Sequence, residues 1–244
     1  MTEDIRRDAL DQLYSQLAAL EKSVGGKRVL AQCDGRMDWP RRGVYFFFED
    51  GELREDGVTP RVVRVGTHAL HPSKSTLWGR LAAHRGTVGG CRPGGGNHRG
   101  SIFRLHVGTA LLKEGKWSDV VRGTWDVGSS ARGRVLVDEY PLELEVSQHI
   151  RSMPFLWVGV DREPDGFLDR GVIEAGAISL LSNVDREPVD AASGQWLGHR
   201  AESPFIGRSG LWNIDHVRDQ PSGEFLEVFS RYVEATGAAG SLDE

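Results

Sequence analysis

Residues 94–108, GGGNHRGSIFRLHVG, bring three glycines together with Asn97, His98, Arg99, Ser101, Arg104 and His106. Side chains of these types suit a phosphate cradle, a metal site or a polar surface loop. A P-loop needs a glycine, four residues and then Gly-Lys-Ser/Thr, and no such string occurs. The dinucleotide fingerprint also fails, because its third glycine is missing and no clear strand precedes the loop. A zinc site would draw on His68 and His71, with Cys91 and His98 downstream. Zinc motifs usually pair ligands on both sides, which this spacing does not do. The remaining reading has these histidines meeting substrate or solvent.

Charge narrows the choice. The chain of 244 residues has a formal net charge of −5, yet residues 61–134 hold thirteen Lys/Arg against three Asp/Glu, and five of the eight histidines. A basic segment in an acidic protein implies either a local anionic partner, phosphate foremost, or a basic face balanced by acidic neighbours. Hydrophobic residues at 39% suffice for an ordinary core. The longest apolar runs, VYFFF and FLWVGV, are too short to span a bilayer. The first residues lack the apolar stretch of a secretory signal. Two cysteines, Cys33 and Cys91, make no disulfide framework. The expectation is a soluble cytoplasmic protein with no membrane partner.

The elements that would position these groups follow from periodicity. Residues 3–22 place Ile5, Leu10, Leu13, Leu17 and Leu20 at helical spacing, ended by Gly25 and Gly26. GVYFFFE (43–49) and RVVRVGT (61–67) read as strands joined by a turn-rich connection. STLWGRLAAHRG then reads as a helix capped by Ser75 or Thr76 and stopped by Gly86. Arg80 and His84 stand four apart on one face of it. Residues 86–100, with seven glycines, read as a mobile loop. SIFRLHVGTALL is assigned to a helix and 113–134 to irregular structure. PLELEVSQHIR (141–151) is a helix opened by proline, FLWVGV (155–160) a buried strand, and 169–183 a helix. Residues 184–210 are loop-rich, and 223–237 form a last amphipathic helix. The fold class is α/β or α+β, with a small central mixed or antiparallel sheet flanked by helices.

The order of GVY at 43–45, RVG at 64–66, a helix with Arg80 and His84, then Glu174 and Asn183, resembles the GIY-YIG nuclease family. The likeness is greatest to restriction-type members, in which arginine and histidine share the first helix. It covers residues 43–183, in a domain read as 39–183 that is preceded by a helical element (1–38), interrupted by a basic Gly-rich insertion (86–134) and followed by an extension (184–244). Arg64 stands where the second motif's tyrosine is expected.

The resemblance implies a metal-dependent endonuclease that hydrolyses DNA, with catalytic Tyr45, Arg64, Arg80, His84 and Glu174. The alternative is a nucleic-acid binder that keeps the fold without cutting. Tyr45 would be the base, or its relay to water, and a phenol serves as a base only where nearby cations favour its ionised form. Arg64, Arg80 and a metal ion would supply them. Arg80 would pair two phosphate oxygens through its planar fork. His84 would shuttle a proton or bind phosphate. Glu174 would hold Mg²⁺, or another divalent metal such as Mn²⁺, with water filling most other positions. Asn183 would orient backbone. Beside the Arg80 helix, Lys74, Arg85, Asn97, His98, Arg99 and Arg104 would contact DNA.

Duller roles compete. Tyr45 can be a core aromatic, Glu145 a rival carboxylate and Asn183 a helix terminator. SGLWNIDHV (209–217) is either a second polar site or a segment pinned to the core by Trp212. Pinning is favoured, because tryptophan buries well and finds partners for its N–H. The oligomeric state stays open between monomer and homodimer.

Overall fold

The protein is described by a computed structural model covering residues 1–68, 70, 74–161 and 168–240, without the side chains of 237–240. His71 lies outside the described residues.

Helix α1 (Glu3–Ser23) buries Leu10, Leu13, Tyr14, Leu17 and Leu20 on one stripe. Ile5, expected on that stripe, is exposed, because in the first turn it is Arg6 that faces the core. Strand β1 (Arg28–Val29) is short. Strands β2 (Gly43–Leu53) and β3 (Pro60–Thr67) form an antiparallel pair, followed by α2 (Leu77–Arg85). Then come α3 (Ile102–Glu114), α4 (Asp119–Thr124), α5 (Gly133–Asp138) and α6 (Tyr140–Ser152). Strand β4 (Pro154–Gly159), α7 (Asp169–Leu181), α8 (Pro204–Ser209) and α9 (Phe225–Gly240) complete the order. The irregular structure expected over 113–134 is corrected by α4, which Ser118 caps through the Val121 N–H, and by the start of α5.

The sheet has order β1-β4-β2-β3 with every neighbouring pair antiparallel. Strand alternation sends Val44, Phe46 and Phe48 to one face and Tyr45 and Phe47 to the other. The first face packs under α1, α7 and α9, and the second under α2, α3 and α6. The sheet is therefore the middle of three layers.

Strand β3 is irregular at one point. Phe47 pairs with Arg64 and Phe48 with Val62, which leaves Val63 as an extra residue on β3. This β-bulge changes the phase of the strand. Beyond it, Arg64 and Gly66 stand opposite Phe47 and Tyr45, on the α2/α3 side.

The loop-rich 86–134 region is not a loose insertion. Arg104 is fully buried and donates from Nε to Glu143 Oε2 at 3.1 Å, from Nη1 to the His84 carbonyl at 2.8 Å and from Nη2 to Ser147 Oγ at 2.9 Å. Gly96 is glycine for a steric reason: a Cβ there would sit 2.2 Å from the Arg104 guanidinium carbon. The expected mobile loop at 86–100 is thus strapped over a buried ion pair.

Candidate active site

Tyr45 lies at the middle of the sheet, fully buried, its ring laid across Gly66 of the neighbouring strand. A Cβ on Gly66 would stand 2.3 Å from the Tyr45 hydroxyl oxygen. The glycine of the RVG motif is therefore the space the phenol occupies. From α2, His84 brings Nε2 within 2.7 Å of that hydroxyl. The other ring nitrogen, Nδ1, is 2.7 Å from Ser101 Oγ. Ser101 is also the N-cap of α3, accepting the Arg104 N–H at 3.3 Å.

Arg64 reaches the same centre from β3. Its guanidinium lies beside the Tyr45 phenol and over the Phe103 ring, 4.8 Å from the centroid. One end donates to the Trp212 carbonyl. Its Nε is buried with no partner among the described residues, and so is the Nε of Arg80. Burial pulls the Arg64 pKa down, and the nearby Arg80 charge adds to this. His84 is driven well below the usual histidine value, first by burial and then by Arg80, Arg64 and Arg104. The imidazole is accordingly neutral.

Glu174, from α7, accepts the Thr67 N–H at 3.1 Å. Burial raises its pKa, against the opposing pull of the Thr67 N–H, Arg64, His216 and Arg80. Arg64 thus stands in the fields of Tyr45, Arg80 and Glu174 together. Arg80, half-buried on α2, faces a cleft of about 370 Å³ that Gly100, Ser101, Arg99 and Asp126 also line. Tyr45 and His84 are not on its walls; they lie beneath it, packed among aromatic rings.

The residues expected to contact DNA are placed differently. Lys74 is exposed just before α2. Asn97 caps the short turn His98–Gly100 by accepting the Arg99 N–H. Arg85 donates to the Cys33 carbonyl and lies over Trp78. Arg99 pairs with Glu139 at 2.6 and 2.9 Å and with the Thr124 carbonyl at 3.1 Å. His98 is buried, 3.0 Å from Glu143 and stacked on Trp125 at 3.8 Å. Arg104, His98 and Arg99 have their polar groups engaged by carboxylates and carbonyls of the chain itself, while His98 and Arg99 also border the cleft beside Arg80.

Asn183 also lies elsewhere. Its side-chain oxygen accepts from Arg6 at 2.7 Å and from the Val189 N–H at 3.0 Å, so it orients backbone behind the end of α7. The asparagine next to the centre is Asn213. It grips both backbone groups of Val65, accepting the N–H at 3.1 Å and donating to the carbonyl at 2.9 Å. Trp212 N–H donates to the carbonyl of the bulged Val63 at 2.7 Å. Residues 212–213 therefore run along the free edge of β3 and hold Arg64 in place. Trp212 is fully buried, with its indole N–H 3.2 Å from Glu49, which meets the expectation that it pins the tail. Glu145 is exposed on α6 and stands apart from the centre. The sequence signal for Asn213 is weak, because nothing in NIDH distinguishes a strand clamp from a loop. Ser101 carries a stronger one, as a serine immediately before an apolar helical run.

No helix among the described residues is long and apolar enough to cross a membrane. No curated protein and no solved structure matches the chain significantly. A family model described as a GIY-YIG domain matches residues 4–239. That match takes in both faces of the sheet, the tyrosine–histidine pair, Arg80 and Glu174, and the chain belongs to the GIY-YIG domain family, a family of endonucleases.

Proposed function

We propose that this protein is a metal-dependent endonuclease of the cytoplasm that hydrolyses phosphodiester bonds in DNA. The observation that carries the reading is the pair of buried guanidinium N–H groups, Arg64 Nε and Arg80 Nε, without partners among the described residues. They belong to two of the three arginines whose charges reach the Tyr45–His84 pair. Buried donors are almost always satisfied, so open ones at a polar centre suit an anion. A phosphodiester oxygen is an acceptor of the right charge, and a guanidinium fork binds it with directionality.

The side chains present fit one kind of metal. Glu174 offers a hard oxygen donor in a partly dehydrated place, where a cation is favoured. No group of three His, Cys, Asp or Glu gathers as a cage among the described residues. A site of that kind fits Mg²⁺ or Mn²⁺, which keep several waters and bind through one or two carboxylates plus substrate phosphate. Glu174 would hold the ion. When bound, it supplies Lewis-acid stabilisation of charge on the phosphate. The chain does the rest. Arg80 binds and orients the phosphate from the cleft. Tyr45 passes its proton to His84 Nε2, and its oxygen takes the proton of the attacking water only once substrate binding opens a path to it from the cleft. Arg64 stabilises the phenolate so formed.

A second reading has a specific observation behind it. Tyr45 is fully buried and Arg64 replaces the second motif's tyrosine, so a binder that does not cut fits as well. Nicking of supercoiled plasmid with Mg²⁺, with and without chelator, separates the two. For the nuclease, Tyr45→Phe, Arg80→Ala and Glu174→Ala each lower the rate by about 100-fold or more. Retained DNA binding with no metal-dependent cutting selects the binder.

A further inference from the structure

Tyr45 has no exposed surface, so its hydroxyl proton has no direct route to solvent. The hydrogen bonds around it define one. Arg64, beside the phenol, can only donate. The acceptor for the Tyr45 O–H is then His84 Nε2, at 2.7 Å. A neutral imidazole carries one proton, which must therefore sit on Nδ1 and point at Ser101 Oγ, also 2.7 Å away. Ser101 Oγ accepts a second N–H, that of Arg104, at 3.3 Å. With both lone pairs engaged, the serine's own proton is left to donate outward, and Ser101 lines the cleft it shares with Arg80 and Gly100.

We propose that Ser101 is a positioning residue that fixes the His84 tautomer and connects the buried Tyr45–His84 pair to the cleft as a proton relay. The proposal rests on the nuclease reading for its catalytic consequence, but not for the tautomer. In the step, the Tyr45 Oη–H bond breaks and a bond from that proton to His84 Nε2 forms. The His84 Nδ1–H bond breaks and a new Ser101 Oγ–H bond forms. The proton Ser101 held before leaves to water in the cleft, and no electrons change hands beyond these bonds. The three arginines around His84 suit this role, because they oppose an imidazolium that would store the proton. A tautomer exchange passes the proton on without accumulating charge there.

Two measurements on the full-length protein test this. In ¹⁵N-histidine-labelled protein, the His84 signal, assigned by its loss in His84→Gln, is expected as the neutral Nδ1–H form at pH 7. The Nε2–H form would overturn the proposal, whether or not the protein cuts DNA. In plasmid cleavage with Mg²⁺, Ser101→Ala is expected to lower kcat about tenfold or more while KM changes less than about twofold. Ser101→Thr, which restores the hydroxyl, returns kcat to within about threefold of the original. An unchanged kcat in Ser101→Ala overturns the relay. If the unaltered protein cuts nothing, the nuclease reading and the relay fall together, and the tautomer alone decides the positioning role.

Discussion

At the scale of single residues, the centre depends on a missing side chain. Gly66 gives Tyr45 its place, since a Cβ would meet the hydroxyl oxygen at 2.3 Å and the ring carbon bearing it at 2.5 Å. The phenol cannot easily retreat, with His84 on one side and Arg64 on another. Gly66→Ala is therefore expected to cost about 1–3 kcal/mol by overpacking. It should also abolish plasmid nicking, because the Tyr45–His84 hydrogen bond cannot survive the shift. Urea unfolding and nicking, measured on the same preparation, check both. Combining Gly66→Ala with Tyr45→Phe should recover little stability, since the ring carbons clash as the oxygen does. The motif glycine is visible in the sequence, as is the tyrosine. That they explain each other needs the register Tyr45↔Gly66.

At the scale of elements, two buried arginines hold helices where the chemistry needs them. Arg6 of α1 donates to the carbonyls of Leu180 and Ser182 at 3.2 and 2.9 Å, closing the C-terminal end of the helix that carries Glu174. Arg104 of α3 donates to the His84 carbonyl and pairs with Glu143 of α6. Burial works to raise the Glu143 pKa, but its pairing with His98 and Arg104 prevails and lowers it. Removing one partner of such a pair leaves an uncompensated charge in the interior. Glu143→Ala is therefore expected to lose about 3–5 kcal/mol of stability. Arg104→Ala should be comparably destabilised, and its loss should appear as a lower urea midpoint rather than a flatter salt dependence of DNA binding. Substituting both partners with apolar residues should recover part of the loss. The helices themselves are readable from their periodicity, including α2, α6 and α7 close to their observed bounds. The role of the glycine-rich stretch is not, because its glycines mark close approach to Arg104 as readily as mobility.

At the scale of the whole molecule, the concentration of positive charge in residues 61–134 is partly an interior matter. Arg61, Arg99 and Arg104 meet Glu52, Glu139 and Glu143, carboxylates that lie outside that stretch of chain and join it only in the fold. The same burial leaves histidines neutral inside. His106, whose Nε2 has no partner among the described residues, is held down to about 4 by burial and then by Arg64. His84 is displaced in the same direction. In the unfolded chain both would titrate near 6.5. Below that pH the unfolded state takes up protons that the folded state refuses. Stability is therefore unaffected by these groups above about pH 6.5, and falls as pH drops from there towards about 4. For His106 the slope is about 1.4 kcal/mol per pH unit in that window, and His84 acts in the same direction. Urea unfolding at pH 7 and pH 5 should show the decrease, and His106→Phe should make it smaller.

The order of residues alone established the kinds of element present, the two motif strands, the arginine and histidine one turn apart, and through them the family. Those features are local: they repeat at two or about four residues, or stand next to one another in the chain. Tertiary packing chose among side chains that local pattern could not rank. It took Asn213 rather than Asn183 to the edge of β3, drew Arg99, Arg104 and His98 into the interior, and set Ser101 against His84. The physical reason is that burial and hydrogen bonding are settled between segments distant in sequence. A polar residue's role depends on which of them reaches it.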